Sequence, residues 1–138
     1  MNSGRNTTIK DDLELGTEGE ISILPKLHKY FMDNTIQKTV EKYCVYDYEA
    51  EDGTCYEVKT RRNTKTQYPT TLLPVHKILH SKTIQYFIFS YLDKDCYIKY
   101  DKESFAKYET IMMTDCRVGM GYKKIKHYLI PVADLIDF

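Results

Sequence analysis

Residues 43–62, YCVYDYEAEDGTCYEVKTRR, constrain the fold most strongly, because two alternating segments flank a compact turn signal. The segments 42–50 and 54–62 are rich in Tyr, Val, Cys and Thr and alternate with a period of two, which predicts a pair of strands. The intervening residues 51–53 suit a three-residue hairpin loop with Gly53 in the left-handed conformation. The sequence therefore predicts an antiparallel β-hairpin.

The charged side chains of this hairpin fall at matching positions. The predicted register puts Asp47 directly opposite Glu57, and the alternation of strand side chains puts Lys59 on the same face as Glu57. Two carboxylates directly opposite each other on adjacent strands repel each other unless a cation lies between them or one is protonated or solvated. Mg²⁺ prefers such oxygen ligands, and the Val58 carbonyl is a candidate third oxygen. Lys59 is placed to orient or help deprotonate the attacking water, or to neutralise a phosphate. The alternative is the solvated face of an ordinary hairpin.

A third carboxylate precedes the hairpin. Apolar residues recur at helical spacing from Leu13 to Phe31, which predicts a first helix. Glu20 lies on the same stripe of this predicted helix as the apolar residues. Glu18 is the competing candidate for the carboxylate that faces the site. A carboxylate within an apolar stripe usually has a specific role there.

The remaining chain alternates between predicted helices and strands in the order α-β-β-α-β-β-α-β. The pattern predicts a helix over 70–81, buried strand 83–92, strand 96–101, short helix 102–111, basic loop 116–126, final strand 127–132 and a tail. We expect an α/β fold with a mixed central sheet flanked by helices. Residues 1–11 are predicted to be a flexible tail and 12–138 a single domain.

Composition limits the classes of function. Twenty basic and twenty acidic residues balance, so no overall positive field indicates a non-specific nucleic-acid coat protein. The four cysteines have no C-x-x-C spacing, which argues against a structural zinc site. No apolar stretch reaches the roughly 20 residues that span a bilayer. The expected location is intracellular, in the cytoplasm or nucleus, with no membrane partner.

Glu20 on the first helix, Asp47 on one hairpin strand and the EVK tripeptide on its partner resemble the PD-(D/E)XK nuclease superfamily. The resemblance implies a restriction-endonuclease-like core, α-β-β-(β)-α-β, here with a C-terminal β-α-β extension; TIQKTV (35–40) is the candidate for the extra strand. It implies that Asp47, Glu57 and Glu20 bind Mg²⁺, which Mn²⁺ can replace, and that Lys59 is the catalytic lysine.

The implied activity is metal-dependent hydrolysis of DNA phosphodiesters, with RNA the less favoured substrate. Endonucleolytic cleavage is favoured over exonucleolytic cleavage, structure-specific cutting is one option, and a homodimer is possible. The resemblance also suggests which side chains contact substrate, namely Arg61, Arg62, Lys65, Gln67 and Lys77. The alternative is a non-catalytic module on the same scaffold that binds nucleic acid or protein.

Overall fold

A computed structural model describes residues 23–40, 46–79, 83–115 and 123–138. The predicted tail at 1–11 and the acidic candidates Glu18 and Glu20 lie outside these ranges. The described part contains two α-helices, α1 over 23–30 and α2 over Lys102–Ala106. Its strands are β1 Gln37–Lys38, β2 Tyr48–Glu49, β3 Cys55–Thr60, β4 Thr70–Pro74, β5 Gln85–Ser90, β6 Asp95–Lys99, β7 Thr110–Asp115, β8 Lys123–Pro131 and β9 Ile136–Asp137.

The described strands form two sheets. The large sheet has the order β1-β2-β3-β5-β6-β9, in which only the β3–β5 pair is parallel. The small sheet has the order β4-β8-β7 and is antiparallel throughout. The expectation of a mixed α/β fold is confirmed at this level, with a core made mostly of sheet.

Strand β5 separates two hydrophobic cores because its side chains alternate between the faces of the large sheet. Phe87 and Phe89 point into an inter-sheet core that also holds Leu73 of β4 and Ile130 of β8. Ile88 points to the other face, into a helix-side core. That core contains Ile23 and Leu27 of α1 together with Tyr48, Tyr56 and Val58 of the hairpin.

The predicted helix over 70–81 is wrong. Residues Thr70–Pro74 form β4, followed by a single 3₁₀ turn at Val75–Lys77. Burial in β4 follows a period of two, with Thr71 and Leu73 inward, and not the helical period. Pro74 lacks an N–H, but β4 is an edge strand, where a proline can be tolerated. The small sheet, with α2 alongside the inter-sheet core, therefore covers the face on which a helix was expected.

Several other predicted elements are confirmed, and some change their bounds. The candidate extra strand in 35–40 forms β1, and the buried strand in 83–92 forms β5. Asp101 caps the short helix, since its carboxylate accepts from the Ser104 amide at 2.9 Å. The predicted basic loop overlaps β8, which begins at Lys123, and the predicted tail forms a 3₁₀ turn and β9. Within the described residues, the structure has no helix of the length and hydropathy needed to cross a membrane.

Candidate functional site

The hairpin turn has the predicted geometry. Gly53 has a φ of 91°, and the Ala50 amide donates to the Thr54 carbonyl at 2.9 Å. Tyr48 then pairs with Tyr56, as the predicted register requires. The turn therefore fixes which residues of the two strands face each other.

Asp47 departs from the regular ladder immediately beyond that pair. Its amide donates to the carbonyl of Tyr56 at 3.0 Å, so Asp47 and Tyr48 both lie against Tyr56, as in a β-bulge. Its carbonyl accepts from the Thr39 amide at 2.9 Å, and its carboxylate Oδ2 accepts from the Val58 amide at 2.7 Å. Asp47 is thus held in place through its amide, its carbonyl and its side-chain carboxyl group.

Glu57 is the buried member of the carboxyl pair. The residue is 8% exposed, and its carboxyl lies close enough to that of Asp47 for the two to interact electrostatically. Burial, reinforced by the negative charge of Asp47, raises the pKa of Glu57 to about 7, although Lys59 and Lys77 act in the opposite direction. Asp47 lies against Tyr56 and not directly opposite Glu57, so the predicted pairing of the two is wrong in register, although their carboxyls still lie near each other. The solvated-face alternative does not describe Glu57, which is buried.

Two lysines flank Glu57. The Nζ atom of Lys59 lies 3.7 Å from Glu57 Oε1, and that of Lys77 lies 3.8 Å from the same oxygen. Burial is the main cause that lowers the pKa of Lys59 below its ordinary value, with Lys77 and Arg61 adding to the effect and Glu57 opposing it. The structure thus brings together Asp47, Glu57, Lys59 and Lys77.

The backbone of β3 directs Val58 toward Asp47. In a parallel ladder, alternate residues present both of their backbone polar groups to one neighbouring strand. Cys55 and Arg61 donate to the carbonyls of Ile84 and Ser90, so the odd-numbered residues of β3 face β5. The amide and carbonyl of Val58 therefore face the β2 side, where its amide meets the Asp47 carboxylate. The Val58 carbonyl lies on the edge where it was predicted to serve as a third oxygen ligand.

The remaining predicted substrate-binding residues lie elsewhere. Arg61 donates from Nε to Thr71 Oγ1 at 3.2 Å and from a terminal nitrogen to the Leu72 carbonyl at 2.6 Å, which joins β3 to β4. The Lys65 ammonium pairs with Asp137, and Arg62 and Gln67 are exposed in the loop that follows β3. These four residues do not converge on the carboxyl pair.

A cleft lies beside the two lysines. This lysine cleft has a volume of about 300 Å³ and is lined by Lys59, Lys77, His76 and His127, among others. His127 Nδ1 lies 2.9 Å from the Ile125 carbonyl, so Nδ1 is the donor in that bond. No motif in the sequence pointed to His127. His127 reaches the lysine cleft because Pro74 of β4 pairs with His127 of β8. The predicted helix over 70–81 does not allow this pairing.

The donor chemistry fits a hard divalent cation. Asp47 and Glu57 provide carboxyl oxygens on adjoining strands, and Glu57 is buried at a position where ionisation is costly without added positive charge. Among the described residues, no group of three or more His, Cys, Asp or Glu side chains is arranged to hold a metal. The predicted third carboxylate, Glu20, is outside those residues.

Comparison with known proteins gave no match: the chain matches no protein family, no curated protein and no solved structure.

Proposed function

We propose that this protein is a metal-dependent nuclease that hydrolyses phosphodiester bonds in DNA. The observation that carries the proposal is the convergence of the Asp47 and Glu57 carboxyls with the Lys59 ammonium beside Glu57. A carboxyl pair with one buried member is costly for a structural role alone, whereas one or two carboxylates are the protein ligands that commonly hold Mg²⁺.

The order of elements around the site agrees with the proposal. Helix α1 is followed by the antiparallel run β1-β2-β3, and β5 then lies parallel to β3. That order supports the proposal, because the expected nuclease core also has a helix, an antiparallel run of strands and a further strand. The difference is that the connection between β3 and β5 contains β4 and a 3₁₀ turn in place of a helix. Glu57 lies on β3 and Asp47 directly precedes β2, which supports a site on this hairpin.

Each residue has a distinct role in this proposal. Asp47 and Glu57 would hold the cation, with the Val58 carbonyl as a third oxygen. The cation would supply positive charge to the phosphate oxygens and make water more acidic. Lys59, whose pKa burial lowers, is suited to accept a proton from the attacking water. Lys77 lies near enough to Glu57 to donate a hydrogen bond to a phosphate held at the same place.

The test is cleavage by the purified full-length chain. The substrates are supercoiled plasmid, linear duplex, a branched junction, single-stranded DNA and single-stranded RNA, each with Mg²⁺, Mn²⁺ or EDTA. We expect cleavage only with metal, and we expect Asp47→Asn and Glu57→Gln to lose at least about 100-fold in rate. Glu51→Gln is the matched control, because Glu51 is an exposed carboxylate in the same hairpin turn.

Two results would overturn the proposal. One is the absence of cleavage of all five substrates with either metal. The other is cleavage by Asp47→Asn at the rate of the Glu51→Gln control. Metal-independent binding of DNA without cleavage would instead support the non-catalytic binding module.

A further inference from the structure

A second cleft lies between the loop after β3 and the small sheet. It has a volume of about 470 Å³, within the range of ligand pockets in proteins. Arg61, Lys65 and Tyr91 line its polar part, and Leu72, Met113 and Leu129 line its apolar wall. We call it the Arg61 cleft. No Asp or Glu side chain is among its described lining residues, and because Lys65 pairs with Asp137, Arg61 is the lining residue that offers the positive charge.

Arg61 carries a positive charge that no carboxylate balances within the described residues. Its two hydrogen bonds go to neutral oxygens of Thr71 and Leu72, and its guanidinium lies over the Phe89 ring at 5.4 Å. A guanidinium has five N–H donors, so donors remain for a ligand. Burial lowers the pKa of Arg61, which is the mark of a cation held in a poorly solvated place. Partly buried charges of this kind are normally paired.

The Tyr91 hydroxyl adds a second unsatisfied donor. Tyr91 is 7% exposed, and its hydroxyl oxygen is fully buried. The Thr71 side chain lies beside it, but no hydrogen bond of acceptable geometry forms within the described residues. A buried hydroxyl without a partner costs free energy, and such groups in native proteins usually have a ligand or water. Arg61 and Tyr91 both line the cleft, so one acceptor group could satisfy both once the side chains that cover the Tyr91 hydroxyl move aside.

The other walls suit a flat, largely apolar body. Leu72 belongs to β4, Met113 to β7 and Leu129 to β8, so the small sheet forms a continuous apolar surface. The Tyr68 ring lines the cleft and is 56% exposed, which leaves it accessible to an incoming ring. Aromatic side chains in such positions stack on nucleic-acid bases.

We propose that the Arg61 cleft binds a nucleotide, with its phosphate at Arg61 and Tyr91 and its base against the apolar wall and Tyr68. Met113 lines both this cleft and the lysine cleft, so the two sites adjoin. Lys59 lies on β3 and Arg61 directly follows that strand, two residues and roughly 7 Å further along the chain. The bound group is either a free mononucleotide or one nucleotide of a strand whose neighbouring phosphate lies at the carboxyl pair. Binding of a nucleotide within a strand rests on the proposed nuclease function, whereas binding of a free mononucleotide does not.

The test is calorimetric titration of the full-length chain in EDTA, where no metal-dependent hydrolysis occurs. The probes are a deoxynucleoside 5′-monophosphate, the matching nucleoside, inorganic phosphate and a short single-stranded oligonucleotide. We expect the monophosphate to bind more tightly than either the nucleoside or phosphate. Tighter binding of the oligonucleotide identifies the strand as the source, and equal binding identifies the free nucleotide. Absence of binding by all probes at millimolar concentrations, or equal affinity for inorganic phosphate and the nucleotide, would overturn the proposal.

A single-atom substitution separates binding from folding. Tyr91→Phe removes the unpartnered hydroxyl and keeps the ring, so the unliganded protein should be as stable as the wild type or more stable. Nucleotide affinity should fall about 5- to 10-fold, the effect of one lost hydrogen bond. Tyr100→Phe is the matched control, because Tyr100 packs on Phe105 away from the cleft. Unchanged affinity in Tyr91→Phe would contradict the assignment, whether or not the protein cleaves DNA.

Discussion

Replacing Glu57 with Gln tests the electrostatics of the carboxyl pair without disturbing its shape. Glutamine resembles the neutral form of glutamate, so the substitution removes the cost of ionising a buried carboxyl. The pKa of Glu57 is raised from 4.5 to about 7 in the folded protein. Between these values the folded state holds a proton that the unfolded chain has released, so the stability of the wild type falls as pH rises through this window.

The pKa difference gives the size of the effect. At about 1.4 kcal/mol for each pKa unit, the rise from 4.5 to about 7 lowers the stability of the wild type above about pH 7 by about 3 kcal/mol. In the metal-free state, Glu57→Gln should therefore be more stable than the wild type by about 3 kcal/mol near pH 8. The advantage should shrink to about 1 kcal/mol or less near pH 5, where the folded wild type is neutral at this position.

Urea denaturation in EDTA at both pH values measures these differences, since a change in midpoint at constant slope reports stability. Glu51→Gln, on the exposed turn, supplies the control and should show little pH-dependent change. A Glu57→Gln variant that is less stable than the wild type at the higher pH would refute the reasoning. It would mean that the ion pairs with Lys59 and Lys77 outweigh the cost of burial.

Three further predictions concern single positions. Lys59→Met should reduce the rate of single-turnover cleavage by about 10²- to 10⁴-fold. Calorimetry should show that the variant still binds Mn²⁺, and loss of that binding would contradict the role of Lys59 as a proton acceptor. Asp47→Ala should lower the free energy of unfolding in urea by about 1–3 kcal/mol, because the Val58 amide loses its hydrogen-bond acceptor. A Tm equal to that of the wild type would show that this hydrogen bond contributes nothing to stability. Gly53→Ala should lower the stability of the fold by about 1–2 kcal/mol, since Gly53 has a φ of 91°. Open space surrounds the added methyl group, so the change measures backbone strain alone. An unchanged Tm in thermal denaturation would contradict this.

The hairpin was predictable because its determinants are local. The turn residues, the alternation of the strands and the left-handed glycine specify the register, and the register brings Asp47 near Glu57. The bulge at Asp47 was not predictable, because it depends on the contact of its carbonyl with Thr39 and of its carboxylate with Val58. These contacts come from tertiary packing.

The small sheet could not be predicted from its own residues. Leucine, valine and isoleucine near 72–79 fit either a short buried strand or a helix, and pairing with β8, distant in sequence, decides between them. That pairing explains why Arg61 joins the end of β3 to β4 and lies away from the carboxyl pair. It also explains how His127 reaches the lysine cleft. Lys77 was predicted on a helix and reaches the carboxyl pair from a 3₁₀ turn.

The most direct test of the account is calorimetric titration of Mn²⁺ into the wild type, Asp47→Asn and Glu51→Gln at a pH above the pKa of Glu57. We predict saturable binding of Mn²⁺ by the wild type and by Glu51→Gln, and its loss in Asp47→Asn. Repeating the titration with the wild type below that pKa should show weaker binding accompanied by proton release, because Glu57 must ionise to bind the cation. Equal binding of Mn²⁺ by Asp47→Asn and the wild type, or no binding by any of the three proteins, would contradict the assignment of the carboxyl pair as a metal site.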